Sequence, residues 1–230
     1  MSVATRYQRI RAELDEECVR LGRKPEEVLL LAVSKTVGLD EVACAIEAGA
    51  HAFGENRPDE LLRKHEAYPE EQWHFIGNIQ SRRIRDIVSA ATLIHSVCKE
   101  EHLPKIDAAA KEYGKKQRVL LEVNVSGEET KSGFEPGEVW DVCVSALNLE
   151  NVEVCGLMTM APRGSEEAIQ RTFKGLSELA SDINARAEEE DKAIRLSDIS
   201  MGMTEDWPEA VALGSTIVRV GRAIFSDSFE

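Results

Sequence analysis

The sequence has few of the features that mark secreted, membrane-spanning or nucleic-acid-binding proteins. Its 230 residues carry 28 basic and 42 acidic side chains, a formal net charge of −14 at pH 7. A surface this acidic disfavours binding to nucleic acid phosphates or anionic lipid, although it allows one small positive pocket. No apolar run approaches the roughly 18 residues that cross a bilayer, and the first residues do not resemble a secretory signal. We therefore expect a cytoplasmic protein with neither a nucleic-acid nor a membrane partner.

Cysteine is scarce, and motifs for metals or nucleotides are missing. The five cysteines are Cys18, Cys44, Cys98, Cys143 and Cys155. An odd number of scattered cysteines in apolar company predicts reduced, buried thiols rather than a disulfide framework. There is no C-x-x-C pair, the five histidines lack zinc spacing, and no glycine-rich nucleotide loop occurs. We expect no metal site.

Short apolar runs alternate with amphipathic stretches along the whole chain. The run at 28–33 is unbroken, which is typical of a strand buried on both faces. The pattern predicts strands at 28–33, 51–53, 72–76, 92–97, 118–125, 152–157, 195–197 and 216–220. It predicts helices at 4–21, 40–48, 58–65, 79–88, 99–113, 136–147, 165–189 and 205–212. Eight such units predict an α/β protein with a single (β/α)8 TIM-type barrel and an extra N-terminal helix, one domain over 1–230. An open doubly wound sheet is the alternative, and the seventh strand is the weakest.

Function in a parallel barrel gathers at the carboxyl ends of its strands. Lys35 follows six apolar residues, and a lysine shielded from water at such a mouth can attack an aldehyde to form a Schiff base. The other interpretation is a solvated lysine. The small residues of 200–202 and 221–222 predict a phosphate cradle after the last two strands, unless their glycines only make turns. Arg219 lies within the last strand and needs a partner, which a structural ion pair would supply.

Further basic groups carry weaker expectations. Lys131 follows the fifth strand on a glycine-containing loop, so it is either a secondary cofactor contact or transfer site, or a surface lysine. Arg82, Arg83 and Arg85 form a basic patch that attracts an anionic cofactor or an acidic partner, unless it is only a solvated helix face. His74 and His95 are expected in the core or at the rim.

Seven short motifs in one order carry a resemblance that spans nearly the whole chain. They are Ala32-Val33-Ser34-Lys35-Thr36, Phe53-Gly54-Glu55-Asn56, His74-Phe75-Ile76-Gly77, Lys131-Ser132-Gly133, Gly156-Leu157-Met158, Ser200-Met201-Gly202-Met203 and Val218-Arg219-Val220-Gly221. The set resembles the pyridoxal-phosphate homeostasis protein family, whose barrel is similar to the N-terminal domain of alanine racemase. The resemblance implies pyridoxal 5′-phosphate (PLP) as the cofactor.

The resemblance also implies roles for individual residues. Lys35 matches the lysine that holds PLP as an internal aldimine, and Arg219 matches the arginine that faces the pyridine nitrogen. Ser200 and the backbone at Gly221-Arg222 match the phosphate grip, with Met201 among the cofactor-binding residues, and Asn56 matches a residue that lines the pocket. Relatives often carry a small hydroxyl residue where this chain has Arg222, so a side-chain hydroxyl contact is not available there.

The matched chemistry favours holding the cofactor over racemising an amino acid. An arginine at the ring nitrogen keeps that nitrogen unprotonated, which makes the ring a weaker electron sink. Alanine racemase takes its second base from a tyrosine near the partner subunit, but Tyr7, Tyr68 and Tyr113 are expected in helices away from the mouth. The sequence also ends ten residues after Val220, so we expect it to lack the C-terminal domain of a racemase.

We therefore expect a PLP-binding protein that takes part in intracellular PLP homeostasis, by buffering or delivery, without robust catalysis. We expect it to be a monomer, with PLP-dependent apo-enzymes as acceptors of the cofactor. A PLP-dependent amino-acid racemase of the same fold type and a barrel enzyme for a phosphorylated sugar are the alternatives.

Overall fold

The computed structural model describes residues 1–128, 131–162 and 164–227. Within these residues, eight parallel strands follow one another round a closed barrel. The strands are β1 Leu29–Val33, β2 Ala52–Glu55, β3 Gln72–Phe75, β4 Leu93–Val97, β5 Gln117–Glu122, β6 Val152–Met158, β7 Asp198–Met203 and β8 Ile217–Val220. The helices are α1 Val3–Arg20, α2 Leu39–Glu47, α3 Pro58–Ala67, α4 Ile84–Ala90, α5 His102–Glu112, α6 Val139–Ala146, α7 Glu166–Glu189, α8 Trp207–Ala212 and α9 Arg222–Phe225.

The barrel closes because the first strand pairs with the last. Leu29 of β1 aligns with Ile217 of β8, and both strands run in the same direction. This pairing confirms the (β/α)8 barrel with its N-terminal helix, and the open doubly wound sheet is wrong. Parallel strands covered by helices are buried on both faces, which explains the unbroken apolar run that predicts β1.

Alternate residues of the strands fill two separate apolar layers. Leu30 and Ala32 belong to the large core that also includes residues of the helices. Leu31, which lies between them in β1, belongs to a smaller cluster with Leu93 and Leu120 of β4 and β5. Side chains therefore fill the barrel interior, and open space is left at the ends of the strands.

The seventh strand is the main correction to the sequence-based prediction. The expected strand at 195–197 is wrong, because β7 begins at Asp198 and runs to Met203. Residues 200–202, expected after the strand, therefore lie inside it. The pairing of β7 with β8 shifts register between Ser200 and Met203, and Gly202 has a φ of +90°. A glycine that forms such a bulge is read from sequence as the end of a strand.

The helices also differ from the prediction, and those expected from 99, 136 and 205 begin at His102, Val139 and Trp207. The helix expected at 79–88 begins later, since a 3₁₀ turn at Ser81–Arg83 precedes α4. The short α9 was not predicted and packs against α1. Arg6 of α1 is buried, and its Nε donates to the carbonyl of Ile224 at 2.7 Å.

The five cysteines are all free, but two of them are not buried. Cys44 is exposed and Cys98 is half-buried, so the expectation of burial is wrong for both. Burial raises the pKa of Cys143 and of Cys155 to about 12, which keeps both thiols protonated at neutral pH. In the described ranges, no helix has the length and apolar character needed to span a membrane.

Candidate functional site

A cavity of about 870 Å³ opens at the carboxyl ends of the strands. Five of the predicted site residues line it, namely Lys35, Asn56, Arg219, Gly221 and Arg222. Ser200 and Met201 do not line it, because both are fully buried within β7. The cavity has the size of an ordinary small-molecule site and lies where barrels of this type bind their ligands.

The wall of this cavity is positive although the protein is strongly acidic. Six basic and three acidic side chains line it, a net charge of +3 against −14 for the whole chain. The basic ones are Lys35, Arg57, Arg82, Arg83, Arg219 and Arg222, and the acidic ones are Asp59, Glu205 and Asp206. A concave positive surface in an acidic protein concentrates anions from solution.

Lys35 lies just beyond β1, at the mouth of the cavity. Its side chain is exposed, so the shielding from water expected from the apolar run before it is absent in this structure. Within the described ranges, its amine makes no hydrogen bond and no ion pair, whereas every other basic group on the wall except Arg57 has a polar partner. The amine is therefore available to react with a ligand in the cavity.

A buried ion pair supports the backbone that carries Lys35. Lys64 of α3 and Glu55 of β2 are both fully buried, and Lys64 Nζ lies 2.5 Å from Glu55 Oε1. The same amine donates to the carbonyl of Ser34 at 2.8 Å, and the Ser34 hydroxyl donates to Glu55 Oε1 at 2.6 Å. Ser34 immediately precedes Lys35, so the pair fixes the peptide from which Lys35 projects. Sequence reasoning missed this group.

Arg219 is buried at the base of the cavity and is held by neutral oxygens. One terminal nitrogen donates to Ser200 Oγ at 2.7 Å, and the other donates to the carbonyl of Thr159 at 3.0 Å. Within the described residues it forms no ion pair, so the structural ion pair suggested by the sequence is wrong. Burial lowers the pKa of Arg219 to about 10, opposed by the nearby Asp206 and Glu122 carboxylates. The guanidinium is therefore still charged at neutral pH.

Two buried histidines extend from Arg219 across the barrel. His95 Nδ1 lies 2.9 Å from Ser200 Oγ, and His95 Nε2 lies 2.9 Å from His74 Nδ1. Burial lowers the pKa of His74 to about 3 and holds that of His95 well below its usual value. Both rings are therefore neutral at physiological pH. Both are in the core, one of the two locations that the sequence predicts for them, and Ser200 joins them to Arg219.

The glycines of the expected phosphate cradle have packing roles of their own. A Cβ on Gly221 would lie 3.1 Å from the carbonyl oxygen of Val33, so glycine lets β8 end close to β1. A Cβ on Gly202 would lie 2.6 Å from the Cβ of Ala210. Thr204, which follows β7, lines the cavity at this end and was not predicted. Thr204 could have been found from the sequence as a hydroxyl residue that directly follows the glycine-containing end of β7.

The basic patch divides into two parts. Arg82 and Arg83 line the cavity, and Arg83 is paired with Asp59 at 2.5 Å. Arg85 lies outside the cavity wall, and its Nε is 3.1 Å from a carboxylate oxygen of Glu112. Only the first two arginines can therefore act on a ligand in the cavity.

Lys131 contacts its own loop and the segment after β6, and it does not line the cavity. Its Nζ lies 3.3 Å from the Glu128 carboxylate and 3.3 Å from the carbonyl oxygen of Met160, a residue of the cavity wall. The lysine therefore lies behind the rim. Its predicted role as a cofactor contact or transfer site stays a prediction.

Comparison with known proteins is consistent with this geometry and defines the class. The family model described as "Alanine racemase, N-terminal domain" matches residues 8–228. A curated relative from Aquifex aeolicus, named pyridoxal phosphate homeostasis protein, is 34% identical over 230 residues that cover 99% of each chain. The chain belongs to the alanine racemase N-terminal-domain family and, within it, to the pyridoxal phosphate homeostasis proteins.

Solved structures extend the comparison. PipY of Synechococcus elongatus, solved with PLP bound, is 32% identical with a TM-score of 0.79, covering 92% of this chain and 99% of its own. An alanine racemase from Clostridium difficile is only 16% identical with a TM-score of 0.76, and the match covers 95% of this chain and 56% of that one. The racemase shares the fold of the barrel alone.

Proposed function

We propose that this protein binds PLP in the cavity at the barrel mouth and serves in intracellular PLP homeostasis, by buffering or delivering the cofactor without robust catalysis. The observation that carries the proposal is the Lys35 amine, which has no polar partner among the described residues and lines a cavity with net positive charge. The names of its relatives and the PLP bound to PipY support it. The proposal includes one binding domain, the monomeric state and the cytoplasmic location expected from the sequence.

The residues of the cavity fit such a ligand. PLP supplies an aldehyde that condenses reversibly with an amine, with loss of water, and Lys35 is the residue that would hold it. Asn56 Oδ1 is buried and has no hydrogen-bond partner among the described residues, so a bound donor would satisfy it. The positive wall suits a phosphate, and Thr204 and Gly221 lie at the strand ends where barrels of this type bind one.

The position of Arg219 supports binding of PLP without catalytic turnover of an amino acid. The guanidinium is charged and fixed by two oxygens, so it would keep a facing ring nitrogen unprotonated. Ser200 is better placed to orient Arg219 than to touch a phosphate, and we assign it that role. Tyr7, Tyr68 and Tyr113 are all absent from the wall of the cavity, which gives no support to a tyrosine base.

The decisive experiment is reconstitution with PLP followed by borohydride. The wild-type protein is expected to show a visible absorbance band and, after reduction, a modified Lys35 in a peptide map. Lys35→Ala removes the band, whereas Lys174→Ala, which changes an exposed lysine of α7 outside the wall, keeps both the band and the modified Lys35. A wild-type protein without a band, or with its label on another lysine, would contradict the proposal.

A separate assay addresses the racemase alternative. The reconstituted protein is incubated with L-alanine and with L-serine, and the products are separated on a chiral column. We expect no sustained formation of the D-amino acids. Sustained formation of D-amino acids by the wild type that is lost in Lys35→Ala would establish a racemase instead. Delivery is tested by adding an apo-enzyme that depends on PLP and measuring recovery of its activity.

A further inference from the structure

An ion pair spans the two loops at the end of the cavity where barrels of this type bind phosphate. Arg222 Nη2, at the start of α9, lies 2.9 Å from Glu205 Oε1, in the turn between β7 and α8. Both side chains line the cavity, and both are more than half exposed, at 56% and 59%. The pair therefore lies across the rim rather than in the core.

Such a pair is weakly held. Exposed ion pairs contribute little to stability, because water and salt screen both charges and both side chains lose conformational entropy when they pair. A phosphate monoester offers a guanidinium more than a carboxylate does, since it carries up to two charges and three acceptor oxygens. An anion of this class arriving between the loops would compete with Glu205 for Arg222.

The position of Arg222 in the chain indicates what this competition would do. Arg222 directly follows Gly221 at the carboxyl end of β8, so its long cationic side chain lies at the end of the cavity where barrels of this type bind phosphate. The geometry points to an inference that rests on the proposed function: Arg222 selects ligands that carry a phosphate monoester, and Glu205 holds its guanidinium in place until such a ligand displaces the carboxylate. Glu205 therefore acts on the phosphate through Arg222.

The test compares PLP with pyridoxal, which has the same ring and aldehyde but no phosphate. Dissociation constants for both are measured by absorbance on the wild type, Arg222→Gln, Glu205→Gln and the double variant. Arg222→Gln is expected to weaken PLP binding by about tenfold, the effect of one charge-assisted hydrogen bond, and to leave pyridoxal binding within about twofold. Glu205→Gln is expected to tighten PLP binding by about threefold, since an exposed pair is removed.

The double variant decides how Glu205 acts. If it acts through Arg222, Glu205→Gln brings no gain in the Arg222→Gln background. An equal gain in both backgrounds would mean direct repulsion of the phosphate and would overturn the inference. Arg85→Gln is the matched control, because Arg85 forms a similarly exposed pair with Glu112 away from the cavity.

Two further outcomes separate the inference from the proposed function. If Arg222→Gln weakens PLP and pyridoxal equally, or weakens neither, the inference is wrong and PLP binding still stands. If the wild type binds neither ligand, the proposed function is wrong and the inference falls with it.

Discussion

Removing the buried amine of Lys64 should destabilise the barrel more than any change to an exposed lysine. The side chains of Lys64 and Glu55 are both 0% exposed, and their charged atoms lie 2.5 Å apart. Lys64→Met keeps most of the apolar stem but leaves the Glu55 carboxylate buried with the Ser34 hydroxyl as its remaining partner. Breaking one partner of a buried pair costs about 3–5 kcal/mol, which is a large part of the 5–15 kcal/mol that holds a typical domain folded.

Equilibrium unfolding in urea at pH 7 measures this cost. The free energy of unfolding of Lys64→Met is expected to fall by about 3–5 kcal/mol with an unchanged slope against urea concentration. Lys174→Met is the control, because its exposed pair with Glu178 should contribute less than about 1 kcal/mol. Lys64→Met with Glu55→Gln should recover part of the loss, since no uncompensated charge is then buried. A cost for Lys64→Met as small as that of the control would refute the reasoning.

Three other predictions address the barrel and Arg219. Burial gives His74 a folded pKa of about 3 against its usual 6.5. The unfolded chain therefore takes up a proton first, and the free energy of unfolding falls as the pH drops from about 6.5 towards 3. The fall in this free energy between pH 7 and pH 5, measured by urea unfolding, should be smaller for His74→Gln than for the wild type. Gly156→Ala places a Cβ 1.8 Å from the Asp198 carbonyl oxygen and should lower the thermal midpoint by several degrees, whereas Gly137→Ala, with open space around it, should not. Ser200→Ala removes one acceptor of Arg219 and should cost about 1–3 kcal/mol in urea unfolding, a result that an unchanged midpoint would contradict.

Much of the barrel follows from local patterns in the sequence. The sequence predicts the long helix at 165–189 and the structure has it at Glu166–Glu189, because Ser165 caps it by accepting a hydrogen bond from the Ala168 amide. The strand at 28–33 was found almost in full, since its apolar run is buried on both faces. Strand β7 was misplaced because the bulge at Gly202 depends on pairing with β8, which no local pattern reports.

The sequence predicts those residues of the candidate site that come directly after a strand, because the carboxyl ends of the strands form the mouth of the barrel. Lys35 and Asn56 come directly after strands and line the cavity as expected. The pair of Lys64 with Glu55 was not predictable, because a lysine in an amphipathic helix is ordinarily assigned to solvent. Whether it enters the core depends on how α3 rotates against β2, and that is a property of the packed structure.

The hydrogen bonds around Arg219 have a direction. Arginine has only N–H donors, so Ser200 Oγ accepts from Arg219, and the Ser200 hydroxyl can donate to His95 Nδ1 when that nitrogen carries no proton. In that tautomer the proton of His95 lies on Nε2 and is donated to His74 Nδ1. The Arg219 guanidinium keeps its proton near neutral pH, and burial keeps both rings neutral there because it lowers the pKa of His74 to about 3 and that of His95 well below its usual value. The two histidines therefore position the charged Arg219 through Ser200 with neutral hydrogen bonds, and they add no charge of their own near neutral pH.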